Sequence, residues 1–206
     1  MTDLTIRHCH AAKQALLDAL ERQDAEAIQS GFDSLLECTR QTRDADGLAK
    51  LLGEVGVQLS RLTELPEVFS YLLTVTTDPG EQASILHEWG TVAVRLGQHE
   101  DAETHLRRAL SIRRELYGSD LHAEVGATLN SLGTLNYAAG RFPEAVELLN
   151  QVVVIHDALK LWNLKTAGVF VNLGNIEIYR SDFEAAETHF RRATAVWEAA
   201  GHPPIF

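Results

Sequence analysis

One eight-residue segment occurs almost unchanged at two places in the sequence, and the spacing of its copies constrains the fold. The segment "AETHLRRA" at 102–109 returns as "AETHFRRA" at 186–193. A third copy, "AVELLNQV" at 145–152, lies about midway and keeps the order of small and large apolar residues, although its polar residues differ. Packing preserves side-chain size, whereas a catalytic site would preserve its His and Glu. The repeat therefore indicates repeated architecture.

A glycine lies 12 residues before each copy, at Gly90, Gly133 and Gly174. A large apolar residue comes directly before each glycine and another lies four residues before it, which places them on one stripe of a helix. Because glycine in a helix interior costs about 1 kcal/mol, we expect a second helix to pass very close to each one. An earlier copy contains Gly56, which lies 34 residues before Gly90, and Val68, 12 residues after Gly56.

These spacings resemble the tetratricopeptide repeat, and the segment "ELYGSDLHAEVGATLNSLG" at 115–133 is similar to the 42-residue units of kinesin light chains and many bacterial proteins. The resemblance covers roughly 46–200. It implies an all-α fold, a right-handed superhelical solenoid of antiparallel helix pairs with about ten helices. The implied parts are a candidate degenerate repeat at 1–47, units at 48–80, 81–122, 123–163 and 164–200, and a tail at 201–206.

The composition restricts the kinds of partner and the cellular compartment that we expect for this protein. The net charge is −11, so we expect no nucleic-acid partner, because an acidic surface repels phosphate. No segment approaches the roughly 20 apolar residues that a membrane helix needs, so we expect no membrane partner. Two cysteines are too few for a disulfide framework and suit a reducing cytosol. The sequence therefore predicts a cytoplasmic helical protein.

The resemblance implies a non-catalytic adaptor that binds a peptide segment of a partner protein in a concave groove lined by the first helix of each pair. Groove positions recur at fixed offsets from the glycines. The candidate peptide-binding residues are Asn130, Asn172, Asn175, Arg95, His87, Thr134, Tyr179, Arg61 and Tyr137. An asparagine side chain both donates and accepts hydrogen bonds, so the three asparagines could hold a peptide main chain. The alternative is that they are solvated or bond to neighbouring helices.

The other groove candidates also have structural alternatives. Arg61 and Arg95 could bind a carboxylate, or they could form ion pairs with nearby glutamates. Tyr179 could supply an apolar contact that also forms hydrogen bonds, whereas core packing is the preferred interpretation for Tyr137. The family's clamp for the C-terminal carboxylate of a partner needs a lysine that is missing from the corresponding positions here, so we do not transfer that specificity.

A second hypothesis concerns the ends of the solenoid. The last predicted helix finishes near Ala200, and no polar capping helix follows it, although solenoids usually need one. An apolar surface there would come from Trp197, Val196, Ile205 and Phe206. The alternative function is therefore a self-associating assembly module, a homodimer or higher oligomer built through uncapped ends.

Several segments carry residues typical of chemical sites, but their patterns favour structural roles. In "RHCH" at 7–10, the two histidines would point about 200° apart on a helix, so we expect no metal site. For His105 and His189, which recur in two repeats, we expect surface positions or inter-helix hydrogen bonds. The paired arginines at 107–108 and 191–192 fit a solvated outer face. Phosphate-loop, zinc and nucleophile motifs are missing, so the sequence predicts no enzyme and no cofactor.

Overall fold

The structure is a computed structural model that describes residues 3–39 and 48–201, with side chains described from Cys9 onward. Within these ranges the regular structure is all-α, with ten helices in a tetratricopeptide-like paired arrangement, which confirms the predicted fold class. The helices are α1 (Asp3–Arg22), α2 (Ala25–Thr39), α3 (Leu48–Gln58), α4 (Leu65–Val75), α5 (Pro79–Arg95), α6 (His99–Tyr117), α7 (Ala123–Ala138), α8 (Phe142–Leu159), α9 (Leu164–Tyr179) and α10 (Phe183–Ala199). A 3-10 turn, Leu62–Glu64, precedes α4.

Two compact units make up the protein, Met1–Ile112 and Arg113–Phe206. The first contains a continuous apolar core whose fully buried residues include Phe32, Leu52 and Phe69. The repeat boundaries predicted from the sequence follow a finer division than these two units and stay a prediction. None of the described helices is long and apolar enough to cross a membrane.

Close helix packing explains the three repeated glycines. A Cβ atom on Gly90 would lie 2.6 Å from Leu106 Cγ, and one on Gly133 would lie 2.7 Å from Leu149 Cδ2. At Gly174 the corresponding distance, to Phe190 Cε1, is 2.7 Å. Real Cβ atoms do not approach other heavy atoms so closely, so an alanine would push the second helix away. The prediction that a second helix passes close to each glycine is confirmed.

A disulfide joins Cys9 of α1 to Cys38 of α2, with a Cα–Cα distance of 5.4 Å. Both side chains are buried. The cysteine count did not predict this bond. The two residues are equidistant from the turn at Gln23 and Asp24, so the antiparallel packing of α1 and α2 brings them face to face. The disulfide closes the open end of the α1–α2 hairpin.

Two buried basic residues, each near the C-terminal end of a helix, contact the helix that follows in the chain. Arg113 is 4% exposed and donates to Thr128 Oγ1 at 2.6 Å and to the Glu124 carbonyl at 3.0 Å. It also pairs with the Glu124 carboxylate at 2.7 Å. His156 lies 43 residues later, at the end of α8, and its Nδ1 is 2.8 Å from Thr166 Oγ1 in α9. These two residues occupy matching repeat positions, and the sequence pattern did not predict their roles.

Candidate functional site

The predicted groove positions of the second unit lie on α7 and α9 and carry amides, hydroxyls and rings. We call this set the amide surface, and it consists of Asn130, Thr134, Tyr137, Asn172, Asn175 and Tyr179. All six are at least partly exposed, and Tyr179 is the most exposed at 67%. None of them is charged, in a protein with a net charge of −11. The structure therefore brings six of the nine candidate residues together on two adjacent helices.

The three asparagines have different hydrogen-bonding environments. Asn172 Nδ2 donates to Thr134 Oγ1 across the α7–α9 contact, at a long 3.4 Å. This bond matches the inter-helix alternative, although its length makes it weak. Asn130 Oδ1 is buried and accepts no hydrogen bond within the described residues. A buried amide oxygen without a donor is costly, so Asn130 lowers the stability of this part of the structure.

Aromatic rings frame one end of the amide surface. Tyr179 stacks on Phe142 at a centroid distance of 5.0 Å and lies 6.3 Å from Tyr137. Burial, together with the neighbouring Tyr179 hydroxyl, raises the pKa of Tyr137 above its ordinary value. Tyr137 is half-buried in this cluster, in agreement with the packing role preferred for it, while Tyr179 keeps an open ring face.

Arg61 does not have the free guanidinium that a carboxylate-binding residue needs. It pairs with Asp33 and with Glu64, both at 2.5 Å, and its guanidinium lies 5.0 Å above the centre of the Phe32 ring. The hydrogen bonds that Arg61 donates to Glu64, and then to Asp33, raise its pKa. The structure thus favours the ion-pair alternative for Arg61, because two carboxylates already occupy its donors.

His87 and Arg95, the remaining groove candidates, lie on α5 in the first unit. The His87 side chain is half-buried, and its carbonyl accepts a hydrogen bond from Thr91 Oγ1 at 3.0 Å. Arg95 is exposed in the last turn of α5, where a cation interacts favourably with the helix dipole. Its position leaves it accessible to an acidic partner.

In contrast to the amide surface, the second helices α6 and α10 carry most of the charged residues of their helix pairs. Arg107 pairs with Glu103 at 2.7 Å on α6, and Arg191 pairs with Glu187 at 2.6 Å on α10. Both pairs have i, i+4 spacing and at least one strongly exposed partner, so each contributes little to stability. Their positions agree with the solvated outer face predicted for the arginine pairs. The uncharged amide surface on the first helices contrasts with these charged second helices.

Two other expectations need correction. His105 stacks on Trp89 at a centroid distance of 4.1 Å, and His189 stacks less closely on Phe170, so both contacts are ring packing, whereas we expected surface positions or hydrogen bonds. Burial lowers the pKa of both histidines.

Among the described residues no cluster of three or more His, Cys, Asp or Glu side chains could hold a metal ion.

The predicted self-association surface is only partly available. Val196 is 6% exposed, because it continues the buried stripe of Ala186 and Ala193 on α10, so it offers no docking surface. Trp197 is half-buried. Ile205 and Phe206 lie outside the described residues.

Matches to family models and to a related protein both support the repeat assignment. Family models described as tetratricopeptide repeat match residues 81–155 and 166–200, together just over half of the chain. The chain belongs to the tetratricopeptide repeat family. A TPR repeat-containing protein of Dictyostelium discoideum is 31% identical over 122 residues, an alignment that covers 58% of this chain and 7% of the relative. The chain thus spans a small part of the length of that relative.

Solved structures show the same fold at low sequence identity. BtubC (BKLC) from P. vanneervenii has a TM-score of 0.67 and 20% identity, covering 100% of this chain and 96% of its own. A putative kinesin light chain from Podospora anserina with nearly identical TPR-like repeats also has a TM-score of 0.67, with 17% identity, covering 95% of this chain and 99% of its own. YrrB, described as a TPR protein with an unusual peptide-binding site, has a TM-score of 0.56 and 18% identity, covering 89% and 83%.

Proposed function

We propose that this tetratricopeptide repeat protein is a non-catalytic adaptor that binds a peptide segment of a partner protein on the amide surface of α7 and α9. The observation that carries the proposal is the concentration of amides, hydroxyls and one exposed tyrosine ring, six uncharged and at least partly exposed residues, on two adjacent helices. The family consists of protein-interaction modules that are typically non-catalytic. The similarity to YrrB, a TPR protein with a peptide-binding site, supports the same interpretation.

The amide surface suits a main chain better than a charged side chain. Asparagine amides can pair with both the N–H and the C=O of a peptide unit, which requires no particular partner sequence. Asn130 and Asn175 are both partly exposed, although Asn130 Oδ1 itself is buried and accepts no bond within the described residues. Tyr179 can add apolar contact area and a hydroxyl at the edge of the surface. Because these groups are neutral, we expect binding to depend weakly on salt.

A pull-down from lysate, read by mass spectrometry, tests this proposal. The key variant combines Asn130→Ala, Asn172→Ala and Asn175→Ala. Each lost hydrogen bond costs about 1 kcal/mol, so together they should weaken a captured partner by on the order of 100-fold. The matched control is Glu103→Ala with Arg107→Ala, which removes an exposed ion pair on α6 and leaves the amide surface intact.

The expected result is a partner that wild type and the control variant capture and the triple variant loses. Circular dichroism must show that the triple variant keeps the helix content of wild type. If all three proteins capture the same partners, the amide surface is not the binding surface and the proposal fails.

A further inference from the structure

The first helix in each of three successive pairs begins after a side chain that caps it. Asp78 precedes α5 and accepts a hydrogen bond from the Glu81 N–H at 2.8 Å. Asn163 precedes α9 and accepts from the Lys165 N–H at 2.9 Å. The residue in the same place before α7 is His122. Asp and Asn are preferred N-cap residues and histidine is not, so His122 needs a separate explanation.

The His122 ring supplies a nitrogen where the other two caps supply an oxygen. Its Nδ1 accepts from the Glu124 N–H at 3.2 Å, and its backbone is extended, as an N-cap requires. Because Nδ1 accepts, the neutral ring carries its proton on Nε2. The His122 carbonyl accepts from the Gly126 N–H at 3.0 Å, which begins the regular hydrogen bonding of α7. Both the side chain and the main chain of His122 therefore hold the first turn of this helix.

Tyr117, at the end of α6, holds the His122 ring beside that turn. The two rings stack with a centroid distance of 3.4 Å and planes 14° apart. The His122 N–H donates to the Asp120 carbonyl at 2.9 Å, so the backbone before the cap is held as well. A ring that is already oriented loses less conformational entropy when it forms the cap.

Protonation changes this cap from an acceptor into a donor. The imidazolium carries a hydrogen on both nitrogens, so Nδ1 can no longer accept from the Glu124 N–H. The new positive charge also lies at the N-terminus of a 16-residue helix, where the helix dipole disfavours cations. Histidine is the side chain that ordinarily changes its charge between pH 5 and 8. The amide of Asn163 does not titrate, so the α9 cap persists through the same range.

The carboxylates nearest to His122 in the chain are already paired with arginines. Glu124 pairs with Arg113 at 2.7 Å, and Asp120 pairs with Arg114 at 2.8 Å. Both carboxylates favour a charged His122 ring. Each is at least 49% exposed and is neutralised by its arginine, so this attraction is weak. It does not replace the lost hydrogen bond at Nδ1.

The end of α8 lies against the same turn of α7 and offers no compensation. His156 Nε2 is 3.7 Å from the position that a Cβ atom on Gly126 would occupy. Burial lowers the pKa of His156, while Asp157 and Lys165 act on it in opposite directions. A proton on His156 would add a second positive charge beside the first turn. The surroundings on α8 therefore work in the same direction as protonation of His122.

The first turn of α7 also carries the contact to α6. Arg113 is 4% exposed, and Glu124 supplies it with a carbonyl at 3.0 Å as well as the carboxylate. The remaining acceptor is Thr128 Oγ1, one turn further along the helix. Opening of the first turn would move Glu124 away and leave Arg113 with Thr128 alone. The His122 cap is thus coupled to the buried arginine through a single residue.

We propose that His122 is a proton-sensitive N-cap that controls the first turn of α7. Near neutral pH the unprotonated ring holds this turn, and Glu124 stays bound to Arg113. As the pH falls and His122 gains a proton, the cap is lost and the turn opens more often. The stabilisation is present on the high-pH side and is lost on acidification, because only the neutral ring makes the bond. His122 is not part of the amide surface, so this switch does not depend on the peptide proposed to bind there.

Residue-resolved hydrogen exchange, followed by NMR, tests the proposal with two substitutions. His122→Asn gives α7 the same kind of cap that Asn163 gives α9, and this cap does not titrate. His122→Ala removes the cap at every pH. Both substitutions also remove the stack on Tyr117, so a comparison of the two isolates the cap. The amides at positions 126–128 report opening of the turn. Measurements at pH 7.5 and 5.5 both stay above the pI of about 5.2.

The expected result is a change in the ranking of the three proteins with pH. At pH 7.5 wild type and His122→Asn should exchange at similar rates, and His122→Ala should exchange about fivefold faster. At pH 5.5 wild type should approach His122→Ala, whereas His122→Asn keeps its protection. Ratios taken at one pH cancel the intrinsic pH dependence of exchange and the contribution of His156, which all three proteins share. Amides in α2 should give a ratio of one, which excludes global unfolding.

Three results would overturn the proposal. Equal exchange in wild type and His122→Asn at pH 5.5 would show that protonation does not remove the cap. Equal exchange in the two variants at pH 7.5 would show that the bond to Glu124 does not stabilise the turn. Slower exchange in wild type than in His122→Asn at pH 5.5 would show that Asp120 and Glu124 hold the charged ring in place, which reverses the sign of the effect.

Discussion

At the scale of single residues, His156 shows how a repeat position can acquire a proton-dependent role. The Thr166 hydroxyl donates to the Leu161 carbonyl at 2.5 Å, so it accepts from His156 Nδ1–H at 2.8 Å. The neutral imidazole thus carries its proton on Nδ1. Burial lowers the pKa of His156, the carboxylate of Asp157 opposes that shift, and Lys165 adds to it. The folded state therefore disfavours the charged form of this histidine.

This predicts a pH dependence of stability. Because the folded pKa lies below the unfolded value of about 6.5, the unfolded protein binds the extra proton first. The free energy of unfolding should be at its full value above that pH and should fall as the pH drops through it. Urea unfolding at pH 7.5, 6.5 and 5.5 measures the slope. His156→Gln should reduce the slope, and His105 and His189 should account for a remainder. Equal slopes in both proteins would contradict the prediction.

Residue roles were the hardest part to predict from the sequence. The offsets from the glycines correctly identified exposed positions such as Asn175 and Tyr179, because exposure follows helix periodicity. They could not show that Arg61 is paired with Asp33, since that contact joins residues 28 positions apart. Pairings across helices depend on tertiary geometry that a periodicity does not contain.

At the scale of helices, substituting two glycines distinguishes a tightly packed position from an open one. Gly133→Ala in α7 should lower the free energy of unfolding by about 1–3 kcal/mol, because the new methyl group meets Leu149, which is fully buried. Gly168→Ala in α9 should raise it by up to about 1 kcal/mol, because the methyl group has free space and alanine favours helix. Urea denaturation of the two variants measures both effects. A loss of stability in Gly168→Ala would show that an internal contact is already present there.

The helices themselves were predictable because several local signals agree with the repeat. Pro66 and Pro143 lie in the first turns of α4 and α8, where a missing N–H does no harm. Asp182 caps α10 by accepting from the Ala185 N–H at 3.0 Å. Agreement between propensity, caps and apolar spacing leaves little alternative to helix pairs. The candidate binding residues have no such redundancy, because each depends on a single offset from a glycine, so their role stays a proposal.

At the scale of the whole molecule, the Cys9–Cys38 disulfide makes the stability of the first unit depend on redox conditions. The bond closes a loop with a sequence separation of 29, for which loop-closure entropy predicts a stabilisation of about 3–4 kcal/mol. Reduction should therefore increase amide hydrogen exchange in α1 and α2. The second unit, Arg113–Phe206, contains neither cysteine and should keep its protection. Exchange measured by mass spectrometry with and without a phosphine reductant compares the two units in one sample.

The control for this experiment is the double variant Cys9→Ser with Cys38→Ser, which cannot form the bond. It should exchange like the reduced wild type and should not respond to the reductant. Two outcomes contradict the prediction. Unchanged exchange in α1 and α2 on reduction would mean that their apolar packing alone sets the local stability. Increased exchange in both units would mean that the protein opens cooperatively, because stability in repeat arrays then passes from one helix pair to the next.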